Sequence, residues 1–334
     1  MEAKKAKITL LSLLLIASLL LMPVSADETP MLTPGGMAIG IHVEADGLLV
    51  VGFLEVACGD SSVSPAWEAG IRTGDLIRAV GPVHVTTAAQ LREALEASSG
   101  SVSLRFQRGG REMQVTVEPL CNEEGQKELG VMLRSGLSGI GTLTFYDPNS
   151  GRFGALGHGV SDQETGVLLP LKTGFVGRAG VDSIVPGQQG QPGELKGTMG
   201  LDAPVGGVLR NTPQGIFGFL EPEFGRTLGS PMPVCRASEV RCGPALIRSD
   251  IDGTIREYQV EISRIYRDGE GKRDLLVTVT DPQLLGSTGG IVQGMSGSPI
   301  IQDGKLVGAV THVLVNDPTR GYGIFIENML EAAS

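Results

Sequence analysis

The chain has 334 residues, of which 41% are hydrophobic and 19% charged, a balance that excludes a disordered protein and suffices for two domains with their own cores. Its formal net charge of -10, together with the lack of a basic stripe, excludes a nucleic-acid backbone as partner. The chain has 49 glycines, 19 prolines and only 4% aromatic residues, which favours short strands joined by turns.

The N-terminal segment predicts export. Lysines at residues 4–7 precede an apolar run at residues 8–22 and a small-residue stretch at residues 24–26. This order is typical of a secretory signal, so residues 1–26 are expected to direct the protein out of the cytoplasm. The apolar run is short for a bilayer span, and a membrane anchor that stays attached before release is the alternative to cleavage.

Residues 35–119 predict a small α+β domain. Apolar strands are expected at residues 38–43 and 48–54, and a helix is expected after Thr87, a good N-cap residue. Two later alternating strands are joined by Gly109-Gly110, which predicts a hairpin.

The same region resembles a PDZ domain of the kind common in exported bacterial proteases. The resemblance rests on the segments AIGI, residues 38–41, and SPAWEAGIRTGD, residues 64–75. It implies that backbone N–H groups at Ile39, Gly40 and Ile41 hold a peptide C-terminus while the peptide adds a strand to the sheet edge. A turn without a binding function is the alternative.

The four cysteines are Cys58, Cys121, Cys235 and Cys242. In an oxidising compartment they allow three pairings, and the sequence leaves open a local Cys235–Cys242 bridge or unpaired thiols. Because no paired CxxC spacing occurs, we do not expect a zinc site at these cysteines. We predict no cofactor.

After a polar linker at residues 122–127, the chain consists of short apolar stretches separated by glycine, proline, asparagine and aspartate. This pattern predicts an all-β barrel or a pair of barrels, followed by a short helix from Ile326. The loop at residues 187–213 is rich in glycine, proline and glutamine. We expect it to be a solvated turn, with a lid and a self-cleavage site as alternatives.

The segment GMSGSP, residues 294–299, predicts a catalytic serine. The backbone N–H groups of Gly294 and Ser296 can converge on one point and form an oxyanion hole for a tetrahedral intermediate. The hairpin that follows, with Asp303-Gly304 at its tip, gives the loop a rigid base. Ser296 is therefore the predicted nucleophile.

This segment is similar to the Gly-Asp-Ser-Gly-Gly-Pro motif of chymotrypsin-like proteases, departing from it at Met295 and Ser298. The similarity implies that residues 128–334 form a chymotrypsin-like double β-barrel serine peptidase domain. Because methionine cannot form the buried salt bridge of that family's aspartate, activation by a freed N-terminus is not expected.

A serine nucleophile needs a base, and the chain contains four histidines. His42 and His84 lie in the PDZ-like region. His158 follows a predicted strand among small residues and precedes Ser296, which is the order of base and nucleophile in chymotrypsin-like enzymes, so we predict His158 as the general base. His312 is expected to line the substrate groove or to pack. A structural histidine is the alternative reading of His158.

The third member of a triad is a carboxylate that orients the imidazole. Asp281 is the candidate because it follows a predicted buried strand and precedes a proline at a loop mouth. Rivals that spacing does not exclude, many of them suited to turns, are Asp162, Asp182, Asp202, Asp250, Asp252 and Asp274.

Three segments, GALGHGVSD, VTVTDPQLL and GGIVQGMSGSPIIQDGKLVGAVTHVLVNDPTRGYGIFIENML, follow the PDZ-like region. Together with it they resemble the stage IV sporulation protein B peptidase family of endospore-forming bacteria. The resemblance covers nearly the full chain. It implies an exported serine endopeptidase with the triad His158, Asp281 and Ser296, and no metal in the peptidase.

Members of this family are secreted from the forespore into the space between the two forespore membranes and release themselves by self-cleavage. They cut a regulatory membrane protein that restrains an intramembrane metalloprotease, so that a sigma-factor precursor is processed during sporulation. The resemblance thus implies three partners: this protein substrate, the chain's own N-terminal region, and peptide C-termini at the PDZ domain. Two alternatives are a catalytically silent PDZ scaffold of the cell envelope and an envelope protein that assembles by strand addition.

Overall fold

The computed structural model describes residues 30–58, 61–267 and 273–334. The predicted signal or anchor, residues 1–26, lies outside the described residues. The elements belong to one compact unit, Met31–Ser334. Within the described ranges, no helix has the length and apolar character needed to cross a membrane.

The described chain is mostly β-structure with a few short helices. The strands in chain order are β1 (Met31–Pro34), β2 (Ala38–Phe53), β3 (Val56–Cys58), β4 (Ser61–Val63), β5 (Leu76–Val80), β6 (Val83–His84), β7 (Val102–Arg108), β8 (Arg111–Val117), β9 (Leu120–Cys121), β10 (Lys127–Glu128), β11 (Val131–Tyr146), β12 (Arg152–Ala155), β13 (Leu171–Val185), β14 (Glu194–Thr212), β15 (Gly215–Leu220), β16 (Met232–Pro233), β17 (Gly243–Asp250), β18 (Ile255–Ile265), β19 (Leu275–Val279), β20 (Pro299–Gln302), β21 (Lys305–Leu314) and β22 (Asp317–Phe325). The helices are α1 (Pro65–Glu68), α2 (Ala88–Glu96), α3 (Pro222–Gly225), α4 (Pro282–Thr288) and α5 (Ile326–Ala333), with 3-10 turns at Arg226–Leu228 and Ala237–Glu239.

The PDZ domain is built on a sheet in which the end of β2 is followed by β5, β7 and β8. Its helix α2 begins with a capping box between Thr87 and Gln90, as the N-cap prediction at Thr87 anticipated. Leu91 and Leu95 of this helix are buried in a core shared with the sheet. The hairpin predicted at Gly109-Gly110 joins β7 to β8.

Two long strands connect the PDZ sheet to the first barrel. β11 pairs antiparallel with β2 from Val131 opposite Phe53 to Thr142 opposite Ala38, with a register shift between Arg134 and Gly136. Both strands therefore pass from one sheet into the other without leaving extended conformation.

The first barrel is a ring of six strands, β2, β11, β12, β15, β14 and β13, each paired with the next, and β13 pairs back to β2. Its core consists of apolar side chains from every one of these strands. They include Ile39, Val43, Leu143, Phe153, Val176, Val208 and Ile216.

The predicted carboxylate-binding loop at Ile39, Gly40 and Ile41 is wrong. These residues lie in the middle of β2, where they pair with residues 139–141 on one side and residues 176–178 on the other. Because strands occupy both edges, their backbone groups are committed to the barrel, and the side chains of Ile39 and Ile41 are buried.

The second barrel is closed in the order β17-β18-β19-β22-β21-β20. Asp303 and Gly304 both have positive φ, 50° and 73°, and form the predicted tight turn between β20 and β21. The terminal helix α5 begins at the predicted Ile326. The predicted mostly β chain, with a small N-terminal α+β domain followed by two β-barrels, is thus confirmed.

The glycine-rich segment predicted as a solvated turn contains a strand instead. β14 pairs with β13 and β15, and only residues 186–193 connect β13 to β14. The far end of this β13–β14 hairpin reaches the second barrel, where Leu195 is buried in the barrel's core.

Three cysteines carry free thiols: Cys121 and Cys242 are exposed, and Cys235 is buried. The local Cys235–Cys242 bridge is therefore absent from the structure. Burial is the main cause that raises the pKa of the Cys235 thiol, which keeps it protonated and unreactive at neutral pH.

Candidate active site

Ser296 lies in a loop between α4 and β20 that we call the nucleophile loop, residues 291–298. Within it, the N–H of Met295 donates to Val292 O at 3.1 Å and the N–H of Ser298 donates to Met295 O at 2.9 Å. The side chain of Met295 is fully buried in the core of the second barrel and anchors the loop by apolar packing.

Three backbone donors in this loop have no acceptor among the described residues: the N–H groups of Val292, Gly294 and Ser296. Gly294 has φ of 98°, a conformation that glycine adopts readily. The N–H groups of Gly294 and Ser296 are the two groups predicted for the oxyanion hole, a role that needs donors without another acceptor.

The first barrel holds the nucleophile loop through β11. The N–H of Thr142 donates to Ser296 O at 2.9 Å, and the Oγ1 of Thr142 donates to Gly294 O at 2.8 Å. Thr144 Oγ1 donates to Gly297 O, also at 2.8 Å. Sequence reasoning missed both threonines, because nothing local marks them.

In this structure the Ser296 hydroxyl donates to the carbonyl of Thr311 on β21, with an Oγ–O distance of 2.6 Å. No hydrogen bond joins Ser296 to His158 in the part of the chain that the structure describes. The hydroxyl therefore has to rotate away from Thr311 before a base can take its proton.

His158 stands in a tight turn after β12. Leu156 and Gly157, just before it, have left-handed φ of 71° and 68°. The Nδ1 of His158 lies 3.0 Å from Gly159 O, and since a carbonyl only accepts, Nδ1 carries the proton and Nε2 keeps its lone pair. Burial lowers the pKa of His158, so the ring is neutral at pH 7 and able to accept a proton.

The ring of His312 packs against the ring of His158, with centroids 4.8 Å apart and planes tilted by 35°. Burial, then the charges of His158 and Arg273, lower the pKa of His312 to about 4. Because His312 follows Thr311, the chain brings Ser296, His158 and His312 together. Packing of His312 agrees with one of its two predicted roles.

Asp281 is not brought to His158. Its Oδ1 accepts from the N–H groups of Gln283 and Leu284, and its Oδ2 accepts from the N–H of Gln259. Asp281 is thus the N-cap of α4, and no described carboxylate bonds to His158. The predicted orienting role of Asp281 finds no support in this geometry.

The buried rival carboxylates also have structural partners. Asp162 binds Arg134 and Thr165; burial opposes its ionisation, but these partners outweigh burial and lower its pKa. Burial raises the pKa of Asp274, which accepts from the N–H of Phe325 at the start of α5.

A second candidate site is the outer edge of residues 131–134 in β11. Their inner edge pairs with β2, and in the described chain no strand occupies the other edge. The side chains of Val131 and Leu133 pack against the PDZ core, which includes Leu91 of α2. A free strand edge beside a helix is the geometry that accepts an added peptide strand.

The sequence contained a signal for this edge. Gly130, with φ of 66°, sits in Leu129-Gly130-Val131, the same apolar-glycine-apolar pattern that occurs around Gly40. Ser64 Oγ donates to Gly130 O at 2.9 Å and fixes the turn against the PDZ domain. Strands pair with both edges of β2 at Gly40, whereas the outer edge of β11 directly after Gly130 is open in the described chain.

Comparison with known families gives two matches. A model of the SpoIVB peptidase S55 family matches residues 125–330, and a PDZ-domain model matches residues 62–108. A comparison with curated proteins gives no match.

Several solved structures are similar to parts of the chain. The PDZ domain of the SdrC-like protein of Listeria monocytogenes is 19% identical with a TM-score of 0.22, covering 27% of this chain and 90% of that one. The active form of the Rv3671c protease of M. tuberculosis is 17% identical with a TM-score of 0.35, covering 58% and 72%. The HtrA-type protease AlgW, solved with a decapeptide, is 14% identical with a TM-score of 0.34, covering 62% and 53%.

Proposed function

The chain belongs to the SpoIVB peptidase S55 family and is a PDZ-containing serine protease, and from this premise we propose that Ser296 is its nucleophile and His158 its general base. The observation that carries the proposal is that the N–H groups of Gly294 and Ser296 have no acceptor in the described chain, while Thr142 binds the carbonyl oxygens of the same two residues. An oxyanion hole needs donors that are free and held in place.

In the proposed reaction, the Ser296 hydroxyl turns from Thr311 O to the lone pair of His158 Nε2. Its oxygen attacks the scissile carbonyl as the proton moves to His158, and the N–H groups of Gly294 and Ser296 bind the oxyanion. His158 then gives the proton to the leaving amine. Water, deprotonated by the same ring, hydrolyses the acyl-enzyme and restores the serine.

Labelling with a fluorophosphonate tests both roles. We expect the full-length wild-type protein to take one label on Ser296, located by mass spectrometry of its peptides. Ser296→Ala should take none, and His158→Ala should react at least about 100-fold more slowly, because general-base help is worth a factor of about 10² to 10⁴. Equal thermal midpoints of the three proteins control for folding, and a folded His158→Ala chain that labels at the wild-type rate contradicts the assignment.

We also propose that the outer edge of residues 131–134 binds a peptide C-terminus, in place of the edge predicted at residues 39–41. The PDZ domain then comprises the end of β2 through the start of β11, and the peptidase domain comprises the rest of both strands and all that follows β11. Lys127, whose N–H bonds to Glu96 Oε1 at 2.8 Å at the end of α2, closes the groove at the carboxylate end. Binding of a C-terminal hexapeptide, lost when its carboxylate is amidated, tests this site.

The family supports a biological role that we adopt as a proposal. The protein is exported, cleaves its own N-terminal region, and cuts a regulatory membrane protein that restrains an intramembrane metalloprotease during sporulation. Mass spectrometry of wild-type and Ser296→Ala protein after incubation tests the self-cleavage: fragments that form only in the wild type support it. If the wild type neither fragments nor labels, the PDZ scaffold function is favoured.

A further inference from the structure

The far end of the β13–β14 hairpin lies directly against the nucleophile loop. The N–H of Leu195 donates to Gln293 O at 2.8 Å, and the N–H of Gln293 donates to Gly193 O at 2.8 Å. Glu194 and Gln293 form a short parallel bridge. A strand rooted in the first barrel thus pairs with the residue that precedes the oxyanion-hole glycine.

The hydrogen bond from Leu195 determines where the N–H of Gly294 points. The carbonyl of Gln293 and the N–H of Gly294 belong to one planar trans peptide, so they point in opposite directions. Because Gln293 O is bound to Leu195, the N–H of Gly294 faces away from the hairpin, and it has no acceptor in the described chain. Because residue 294 is a glycine, the backbone could also adopt the opposite orientation of this peptide, with the N–H of Gly294 facing the hairpin.

Three further contacts fix the hairpin at this place. The side chain of Leu195 is only 3% exposed and belongs to the core of the second barrel. A Cβ atom on Gly294 would lie 3.0 Å from Leu195 Cβ, so loop and hairpin are in close contact. The N–H of Gly187 also donates to Thr288 O at 2.8 Å, at the end of α4.

We propose that Leu195 is a positioning residue for the oxyanion hole: its N–H selects the orientation of the Gln293–Gly294 peptide in which the N–H of Gly294 serves the reaction. This inference rests on the proposed function of Ser296 and Gly294. When the hairpin is docked, the oxyanion hole has both donors. When this hydrogen bond is missing, Ser296 and His158 stay in place and the hole keeps one donor.

Leu195→Pro tests the hydrogen bond. Since the N–H of Leu195 is used by Gln293, proline removes this bond and leaves the neighbouring pairs of β13 and β14 intact. We measure the labelling of Ser296 by a fluorophosphonate as a maximal rate and a half-saturating concentration. Loss of one oxyanion donor costs a factor of about 10² to 10³ in rate, so we expect about a 100-fold lower maximal rate with a half-saturating concentration within about twofold of the wild type.

Two matched variants complete the test. Leu195→Ala keeps the N–H and loses the side-chain anchor, and we expect about a tenfold lower maximal rate. Leu209→Ala changes an exposed leucine on the same strand, 56% exposed, and should label like the wild type. A folded Leu195→Pro protein with the wild-type maximal rate overturns the proposal. If Leu195→Pro has no thermal transition, Leu195 is replaced by its α-hydroxy acid, which keeps the side chain and lacks only the N–H; a folded protein of this kind with the wild-type maximal rate overturns the proposal. A wild-type chain that takes no label overturns the proposed function together with this inference.

Discussion

The serine side and the histidine side of the active site are held by different forces. On the serine side, the loop of the second barrel is fixed by directional hydrogen bonds from the first barrel, through Thr142 and Leu195. On the histidine side, His158 of the first barrel is held against the second barrel by ring packing with His312. Each barrel therefore holds the residue of the other barrel that we propose as catalytic.

The serine side and the histidine side should therefore lose their structure under different conditions. Hydrogen bonds between uncharged groups do not depend on pH, and each is lost when one donor is removed. A packed pair of imidazoles is sensitive to protonation, because a charge in a buried ring is costly. The serine side should therefore respond to single deletions of donors, and the histidine side should respond to acid.

After the variants of Ser296, His158 and Leu195, the largest effect is expected from Thr142→Val, which replaces the hydroxyl by a methyl group of similar size. Gly294 O then loses a buried donor, and a carbonyl left without a partner costs about 1 to 3 kcal/mol. We expect about a tenfold lower rate of labelling at Ser296, equal at pH 6 and pH 8. Thr142→Ser, which restores the hydroxyl, should recover the rate to within about twofold. If Thr142→Val and Thr142→Ser label equally, the hydroxyl does not position the loop.

A smaller effect, and one that depends on pH, is expected at His312. Its pKa of about 4 lies below the 6.5 of a free histidine, so between these values the unfolded chain binds a proton that the folded chain does not. The free energy of unfolding is therefore fully present above pH 6.5 and falls as the pH drops toward 4. His312→Phe keeps a ring against His158 and removes one titrating group, so its urea midpoint should fall less between pH 7 and pH 5.

The control for this experiment is Leu209→Ala, which changes an exposed side chain and no titrating group. Its urea midpoint should depend on pH as that of the wild type does. Because burial also lowers the pKa of His158, the urea midpoint of His312→Phe should still fall with pH, but less than that of the wild type. Identical curves for the wild type and His312→Phe would show that ring packing does not make this side acid-sensitive.

The sequence could predict features that depend on neighbouring residues, and it could not predict contacts between distant segments. The nucleophile loop and its hairpin follow from local signals, since Gly294, Ser296 and the Asp303-Gly304 turn lie close together in the chain. The segment Ile39–Ile41 was assigned wrongly because an apolar-glycine-apolar pattern suits a buried strand and a carboxylate loop equally well. Only pairing with strands about one hundred residues later, at residues 139–141 and 176–178, decides between them.

Aspartate before proline raised a similar ambiguity at Asp281, since that pair is also typical of a helix start. Its carboxylate bonds to three backbone N–H groups, and the choice between a helix cap and a triad member depends on the distance to a histidine in the other barrel. The sequence carries no information on that distance. The contacts of Thr142 and Leu195 were missed for the same reason.

The smallest effect on activity is therefore expected from Asp281→Asn, which separates the two readings. Asparagine is as good an N-cap as aspartate and loses only the acceptor for the N–H of Gln259. α4 and the loop that follows it should therefore keep their places, with labelling at Ser296 within about threefold of the wild type. Asp281→Ala removes the cap and should cost about 1 kcal/mol in the free energy of unfolding, measured by urea denaturation. A triad carboxylate behaves differently: its amide form leaves the imidazole in the wrong tautomer and lowers the rate by about 10⁴. A loss of that size in a folded Asp281→Asn protein would mean that Asp281 reaches His158 during the reaction, and that the histidine side, too, is held by a directional bond.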